Sequence, residues 1–498
     1  MHACAIVGAK KQAHFKGRVA VVKAGLPNQP RAPTRVTDER ESPASGATDR
    51  VRALQSERQS LAAILDLLRR TDASTRLDIE REARLGRAVV TDRLATLSRF
   101  GLIVESGIGR SIGGRAPRLV RFHAEAGRLL VANIHRGTIG VGLSDLGSRL
   151  IVEHYEDIEP SISADALFER LEQLFSWLLD QVGSPDLWGI GLGVPGPVES
   201  LRGSRLALPT LGATPDWESA RLVERLLSRF EVPAWVLSAV QMETMGELGT
   251  IKPELGGDML FVDLGTEISA GVVSNGRLHR GAQGIAGEIG HVYAGEGHVA
   301  ICGCGNVGCL ETVAGCEAVV QQAVAAARQG QSRVLLDTLE RNGGLTISDI
   351  GAAARLGDPY SADLLARCGR HIGTVMATLV NMLNPSAVIV GGELAVTGDI
   401  CIAAIREAIY RHSQPLLTRD LNITRSRMGR SSGLIGATKV VTDEIFAPTF
   451  VEGWITAGSP LAHPDVGRII AEARQALDEQ RKTGPLPSSR GRMAEARG

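Results

Sequence analysis

Two neighbouring stretches decide how this chain is read. They are Ala286-Gly287-Glu288-Ile289-Gly290-His291 and Ile301-Cys302-Gly303-Cys304-Gly305-Asn306-Val307-Gly308-Cys309-Leu310-Glu311. Together they place one histidine, with ten residues intervening, ahead of three cysteines that fall within eight positions (His291, Cys302, Cys304, Cys309). One imidazole and three thiolates make a closed tetrahedral set. That set suits a structural zinc ion and leaves no coordination position for a catalytic water. Gly303, Gly305 and Gly308 let the backbone fold tightly around such an ion. The competing reading is three free cysteines beside an unrelated histidine. His298 and Cys316 also lie close enough in sequence to serve as ligands.

Outward from this constellation the sequence reads as α/β. Residues 129–134, 138–145 and 149–154 form a three-strand pattern joined by tight turns, and a second such set begins at 259–273. Two meanders separated by helical stretches imply a duplicated fold with a cleft between the halves. Residues 189–198 (GIGLGVPGPV) read as a strand running into a Gly/Pro-dense loop.

Ahead of this body lies a module with a different pattern. Ile64, Leu65, Leu67 and Leu68 mark one amphipathic helix and residues 77–83 a second. Gly86 breaks the chain, and a third helix spans about 87–100, with Val90, Leu94 and Leu97 on one face. Strand-like pieces at 102–106 and 118–122 flank a Gly/Arg-rich link. Three helices followed by such a hairpin follow the plan of a winged helix-turn-helix, with the third helix suited to a DNA major groove. Arg87, Thr91 and Arg93 are the polar residues expected to reach base edges, and Arg110 and Arg115 the wing residues expected at phosphates or a minor groove. Charge agrees: residues 51–122 carry fourteen arginines against eight acids, although the 498-residue chain balances 55 basic against 55 acidic residues. A small helical bundle for protein contacts is the competing reading.

Composition excludes other classes. An apolar content of 44% with 22% charged residues is that of a folded globular chain. No run of apolar residues is long enough to span a membrane, and the first fifteen residues lack a secretory core, so a cytoplasmic location is expected. Seven unevenly spaced cysteines are too few for a disulfide scaffold. The domain layout expected is a disordered basic tail at 1–54, the winged module at 55–122, the two-lobed body at 123–445, and a mostly disordered tail at 446–498 interrupted by a helix at 467–482.

The order of these motifs resembles the ROK family, a name covering repressors, open reading frames and sugar kinases. The resemblance rests on the GGRAP wing (113–117), GVPGPV (193–198), AGEIGH, CGCGNVGCLE and NPSAVIVGG (384–392), and runs from about Ser56 to Asp443. It implies the sugar-kinase, actin-like fold of two α/β lobes around a cleft. It also implies zinc held by His291, Cys302, Cys304 and Cys309. In members that bind a sugar, Glu288, His291 and Glu311 would contact it, while Glu288 could instead support the metal-binding histidine. Members with the N-terminal module are transcription regulators, so the chain is expected to bind a pseudo-palindromic operator as a homodimer or homotetramer, with a sugar or sugar derivative as effector.

The same comparison argues against catalysis. Family kinases carry a D-x-G-G-T phosphate loop where this chain has Asn133-Ile134-His135-Arg136-Gly137. Their second phosphate loop, G-T-G-I-G-x-G, is matched here by Gly265-Thr266-Glu267-Ile268-Ser269-Ala270-Gly271. Glu267 sets a negative charge where a phosphate would lie. The catalytic aspartate falls on Ala239, which cannot accept a proton, and Ser238 replaces the adjoining sugar-binding asparagine. Glu243, four positions on, is not expected to reach the same spot. A changed or weakened sugar site and no enzyme activity are therefore expected.

Overall fold

The computed structural model describes residues 43–483, apart from 72, 109–116, 160, 184–185, 197, 199–221, 252–256 and 296–299. Of the expected tails, residues 1–42 and 484–498 lie outside the described residues, whereas 43–54, expected to be disordered, are helical.

The N-terminal module begins with helix Pro43–Arg70, followed by the two-residue strand β1 (Ser74–Thr75) and helix Arg76–Glu82. Thr75 caps that second helix through a reciprocal box with Asp78, which satisfies backbone donors left open at the helix start. Helix Arg87–Arg99 comes next and buries Val90, Leu94 and Leu97, the face read from sequence. Strands β2 (Ile103–Ile108) and β3 (Arg118–Phe122) pair antiparallel, and β1 adds to β3, giving the order β1-β3-β2. The β1 pairing was not legible, because two residues carry no periodicity.

The body holds two five-stranded sheets. One runs β6 (Leu150–Asp157), β5 (Thr138–Asp145), β4 (Arg128–His135), β7 (Leu187–Val194), β8 (Ala234–Ser238). The other runs β11 (Arg277–His279), β10 (Ile268–Ser274), β9 (Met259–Leu264), β12 (Ala387–Gly391), β13 (Asn422–Arg425). In each, two antiparallel pairings are followed by two parallel ones, so the lobes repeat one topology strand for strand. Of the parallel-paired strands, β7 and β12 are buried along almost their whole length and read as unbroken apolar runs, whereas the edge strand β13 is polar and partly exposed.

Helices Ala239–Leu248 and Ser431–Ile445 pack face to face between the sheets. Their backbones meet closely: a Cβ at Gly246 would lie 2.0 Å from the Ser432 carbonyl oxygen, and one at Gly436 would lie 1.7 Å from that of Met242. Only glycine allows this approach.

The C-terminal segment differs from expectation. Residues 446–483 form helix Pro448–Trp454, a 3-10 turn and helix Pro464–Thr483, with Phe450, Trp454 and Ile455 buried. These side chains join one apolar cluster with Leu61, Ile64, Leu97 and Phe122 of the module and Trp188 and Phe446 of the body. The module and the base of the first lobe thus share a core. Among the described residues, no helix is long and apolar enough to cross a membrane.

Candidate functional site

The cleft between the two sheets has a volume of about 370 Å³. Its wall includes Ser238 and Ala239 from the end of β8, Glu288 and His291 from the loop after β11, Cys302 and Cys304 from the Gly-rich loop, and Glu311. The four expected effector residues, Glu288, His291, Glu311 and Ser238, therefore line one space.

Local sequence explains how they get there. Gly287 takes φ +116°, and a Cβ on it would sit 1.8 Å from the carbonyl oxygen of Ala270. The turn is thereby pressed onto β10, and the Ala270 amide bonds back to the Gly287 carbonyl. Glu311 lies in the first turn of helix Leu310–Ala314, where its carboxylate accepts a hydrogen bond from the Ile268 amide at 3.3 Å. Burial raises the pKa of both Glu288 and Glu311, with the nearby His291 acting the other way.

The metal candidates also converge. One ligand atom from each of His291, Cys302, Cys304 and Cys309 lies within 4.8 Å of the others. His291 Nδ1 is 3.5 Å from Cys302 Sγ, and Cys304 Sγ is 3.7 Å from Cys309 Sγ. A tetrahedron with Zn–S bonds of roughly 2.3 Å and Zn–N bonds of roughly 2.0–2.1 Å has S···S edges of about 3.7–3.8 Å and S···N edges of about 3.5–3.6 Å. The residues fit the ion. The sulfurs form no disulfide. Burial and the neighbouring sulfurs push the Cys309 thiol up to about 12, so gathering three thiolates here calls for a cation. Cys316 stands outside the group, with its thiol turned to the Leu264 carbonyl, and His298 lies outside the described residues. Glu288 approaches the other ring nitrogen of His291, Oε2 to Nε2 at 3.8 Å.

At the far end of the cleft the tips of the two lobes meet. Arg136, in the β4–β5 turn, pairs with Glu267, in the β9–β10 turn, at 2.8 Å, and Thr266 Oγ1 donates to the Arg136 carbonyl at 3.2 Å. These are the two segments matched to phosphate loops, here tied to each other. Behind them Glu243 does not turn toward Ala239. It accepts from His135 Nε2 at 2.9 Å and from Asn133 Nδ2 at 3.3 Å. Burial alone would lower the His135 pKa, but the charge and hydrogen bond of Glu243, with Asp263 and Glu267 nearby, hold it at about 9. Burial and Glu243 together raise Asp263 to about 8, against the opposing pull of His135. This cluster was missed because Glu243 lies 108 residues from His135 and 110 from Asn133 in sequence, and no local pattern links them.

On the module, Arg87 and Thr91 are exposed at the start of the third helix, which Gly86 caps. Thr91 Oγ1 donates to the Arg87 carbonyl at 2.9 Å. Arg93 corrects the expectation. Its side chain is only 18% exposed and turns back to the first helix, donating to Ser60 Oγ at 2.9 Å and pairing with Glu57 and Asp92. Position 93 is one turn from the buried Val90 and Leu97, so it faces the helix bundle. Arg110 and Arg115 lie outside the described residues.

Residues 138–444 match the description of the ROK family. The chain belongs to the ROK family. The DNA-binding transcriptional dual regulator NagC of Escherichia coli (strain K12) is 30% identical over 404 residues, spanning 80% of this chain and 94% of that protein. A glucokinase of Halalkalibacterium halodurans is 28% identical over 281 residues, 56% of this chain and 82% of the enzyme. A crystal structure of a ROK family transcriptional regulator, described as a homologue of the E. coli MLC protein, superposes with a TM-score of 0.65 at 22% identity, covering 84% of this chain and all of that one. The fold is thus shared over 84% of this chain.

Proposed function

We propose that this ROK protein is a DNA-binding transcriptional regulator, acting as a repressor, whose kinase-like body senses rather than phosphorylates. The observation that carries this reading is the N-terminal module, with Arg87 exposed at the start of its third helix and its core continuous with a body that has Ala239 at the base position. Two copies in a homodimer would present two such helices to an inverted repeat, with half-sites about one helical turn apart or a multiple of it.

His291, Cys302, Cys304 and Cys309 would hold a structural zinc ion, which when bound cross-links the loop ahead of Glu311. Glu288 serves both readings: it lines the cleft and lies beside the metal-binding histidine. Ser238 and Ala239 leave the adjacent wall poor in partners for hydroxyls, which favours an effector less hydroxylated there than a hexose.

Arg87→Ala is expected to weaken specific DNA binding by about 1–3 kcal/mol if it reads a guanine. Arg93→Ala should instead lower the stability of the module, visible as a reduced melting temperature without DNA. Arg115→Ala should reduce the salt dependence of binding. Titrations with a selected DNA fragment at several salt concentrations check the first and third and a thermal melt the second, and an unchanged affinity in Arg87→Ala would remove the third helix as the reading element.

The glucokinase likeness makes the enzymatic test necessary. With ATP and a panel of hexoses and amino sugars, no turnover above a blank without enzyme is expected, because base loss costs about 10²–10⁴ in rate and the phosphate segments are also altered. Ala239→Asp alone should not restore activity, since Arg136 and Glu267 still join across the phosphate end. Measurable turnover by either protein would contradict this.

A further inference from the structure

We propose that helix Ser431–Ile445 is the mechanical link between the phosphate end of the cleft and the N-terminal module. The proposal deepens the regulator reading and rests on it only for the meaning of the output.

One end of this helix sits on the altered phosphate loop. A Cβ at Gly433 would lie 2.1 Å from Asn133 Nδ2 and 2.4 Å from its Cγ, so the side chain of Asn133 presses on the helix backbone. Asn133 bonds Glu243 and contacts His135 at 3.1 Å, two residues from the turn that carries Arg136 to Glu267. The state of the cross-lobe contact therefore reaches the helix through one residue.

Along its length the helix has no slack. It is locked against helix Ala239–Leu248 through Gly246 and Gly436, and against β7, where a Cβ at Gly191 would lie 2.9 Å from the Ala437 carbonyl oxygen. Close-packed backbone transmits displacement instead of absorbing it. Fifteen residues carry that displacement about 22 Å.

The other end touches the module. Asp443 pairs with Arg69 at 3.8 Å, and the Arg69 guanidinium lies 4.2 Å from the ring centre of Phe446, just past the helix. Phe446 in turn packs edge-on against Phe122 of β3 at 5.5 Å. Val441 and Ile445 share the cluster that holds Leu61, Leu97 and Phe122. A change in lobe angle must then displace the module or break this cluster, which makes the helix an element that both sites can bias.

The test wedges one end and reads the other. In full-length, metal-loaded protein, Gly433→Ala drives a methyl group into Asn133. Gly351→Ala is the control: its Cβ would meet Thr397 at 2.8 Å, in the second lobe and away from the link. Amide exchange is followed over 61–68 and 90–97. The link predicts that Gly433→Ala changes exchange there on the order of 10-fold, within the usual span of coupling between sites, and that Gly351→Ala does not. Module exchange that stays at the wild-type rate in Gly433→Ala, or shifts equally in both variants, would overturn it. If Gly433→Ala does not fold, Asn133→Ala gives the same comparison from the other side of the contact.

A double-mutant cycle with Asn133→Ala and Arg69→Gln, read as affinity for a DNA fragment selected by the wild-type protein, should be non-additive by about 3-fold or more. Additive effects would contradict the link. Should no fragment be selected, the regulator reading fails and the exchange comparison still decides the link.

Discussion

Metal-stripped protein is expected to lose the order of the loop from His291 to Cys309 and, with it, the floor of the cleft. The reason is how little else holds that loop. Among its described residues, the pairing is that of the bridges Tyr293–Cys309 and Ile301–Val307 with their amide hydrogen bonds, such as Ala294 to Gly308 and Cys302 to Asn306, and a turn bond from Gly305 to Cys302. Ile301 and Val307 are 76% and 50% exposed, so the loop buries little apolar surface of its own. Binding of structural zinc in small zinc-binding peptides contributes about 10–16 kcal/mol, and even a fraction of that exceeds what two bridges supply. Because Cys309 caps the helix that carries Glu311, loss of the loop should also free the Glu311 carboxylate from the Ile268 amide. Wild-type protein should carry one zinc per chain by elemental analysis. Cys304→Ser and Cys309→Ser should carry none, and Cys316→Ser should keep it. Amide exchange over 291–311 should speed up once the metal is gone, the local opening free energy falling by several kcal/mol. Unchanged protection in metal-free protein would show that the sulfurs are mere neighbours.

The second large effect is expected from Glu243→Ala. Removing one partner of a buried pair strands the other, at a cost of about 3–5 kcal/mol when burial is complete. The His135 side chain is 30% exposed, so about 2–4 kcal/mol is expected. The pair also sets a pH dependence. With its folded pKa at about 9, His135 contributes stability that is complete below its unfolded value near 6.5 and is lost as pH rises through 9. Asp263 works in the same direction: with its carboxyl raised to about 8, the folded state holds a proton that the unfolded state has given up, so stability falls as pH rises toward 8 and no further above it. Wild-type stability should therefore fall by about 2 kcal/mol or more between pH 6.5 and 9. In Glu243→Gln this slope should flatten, because His135 loses the charge that raises it and Asp263 loses the charge that repels its own. Denaturant melts at four pH values across that range check both statements, and equal slopes in the two proteins would contradict the pair.

What could be read from the sequence follows from range. The convergence of the four candidate ligands was legible because they fall within nineteen positions, and the strands because alternation and apolar runs are local signals. The duplicated topology followed from two similar meanders. The cross-lobe pair of Arg136 and Glu267 and the buried pair of His135 and Glu243 were not legible, since no local pattern links residues more than a hundred positions apart. Glu243 could be excluded from the position of Ala239, yet its partner His135 lies in the segment matched to the first phosphate loop, 108 residues upstream. Arg93 failed for a different reason. On a helix whose apolar face is narrow, the polar residue at its border can turn inward to Ser60 and Glu57. Helix Pro464–Thr483 was legible as a helix at 467–482, but Pro448–Trp454 escaped notice because Pro, Gly and Thr punctuate it, while Trp454 and Phe450 find their partners in elements far upstream.

The central claim is that this ROK protein reads DNA through its N-terminal module. It is tested most directly by incubating the purified full-length protein with genomic fragments at about 150 mM salt, near physiological ionic strength, and sequencing what stays bound. The account predicts a small set of fragments sharing one inverted repeat, with half-sites about one or two helical turns apart, and their loss with Arg87→Ala. Fragments recovered without a shared sequence, or equally well by Arg87→Ala, would contradict it.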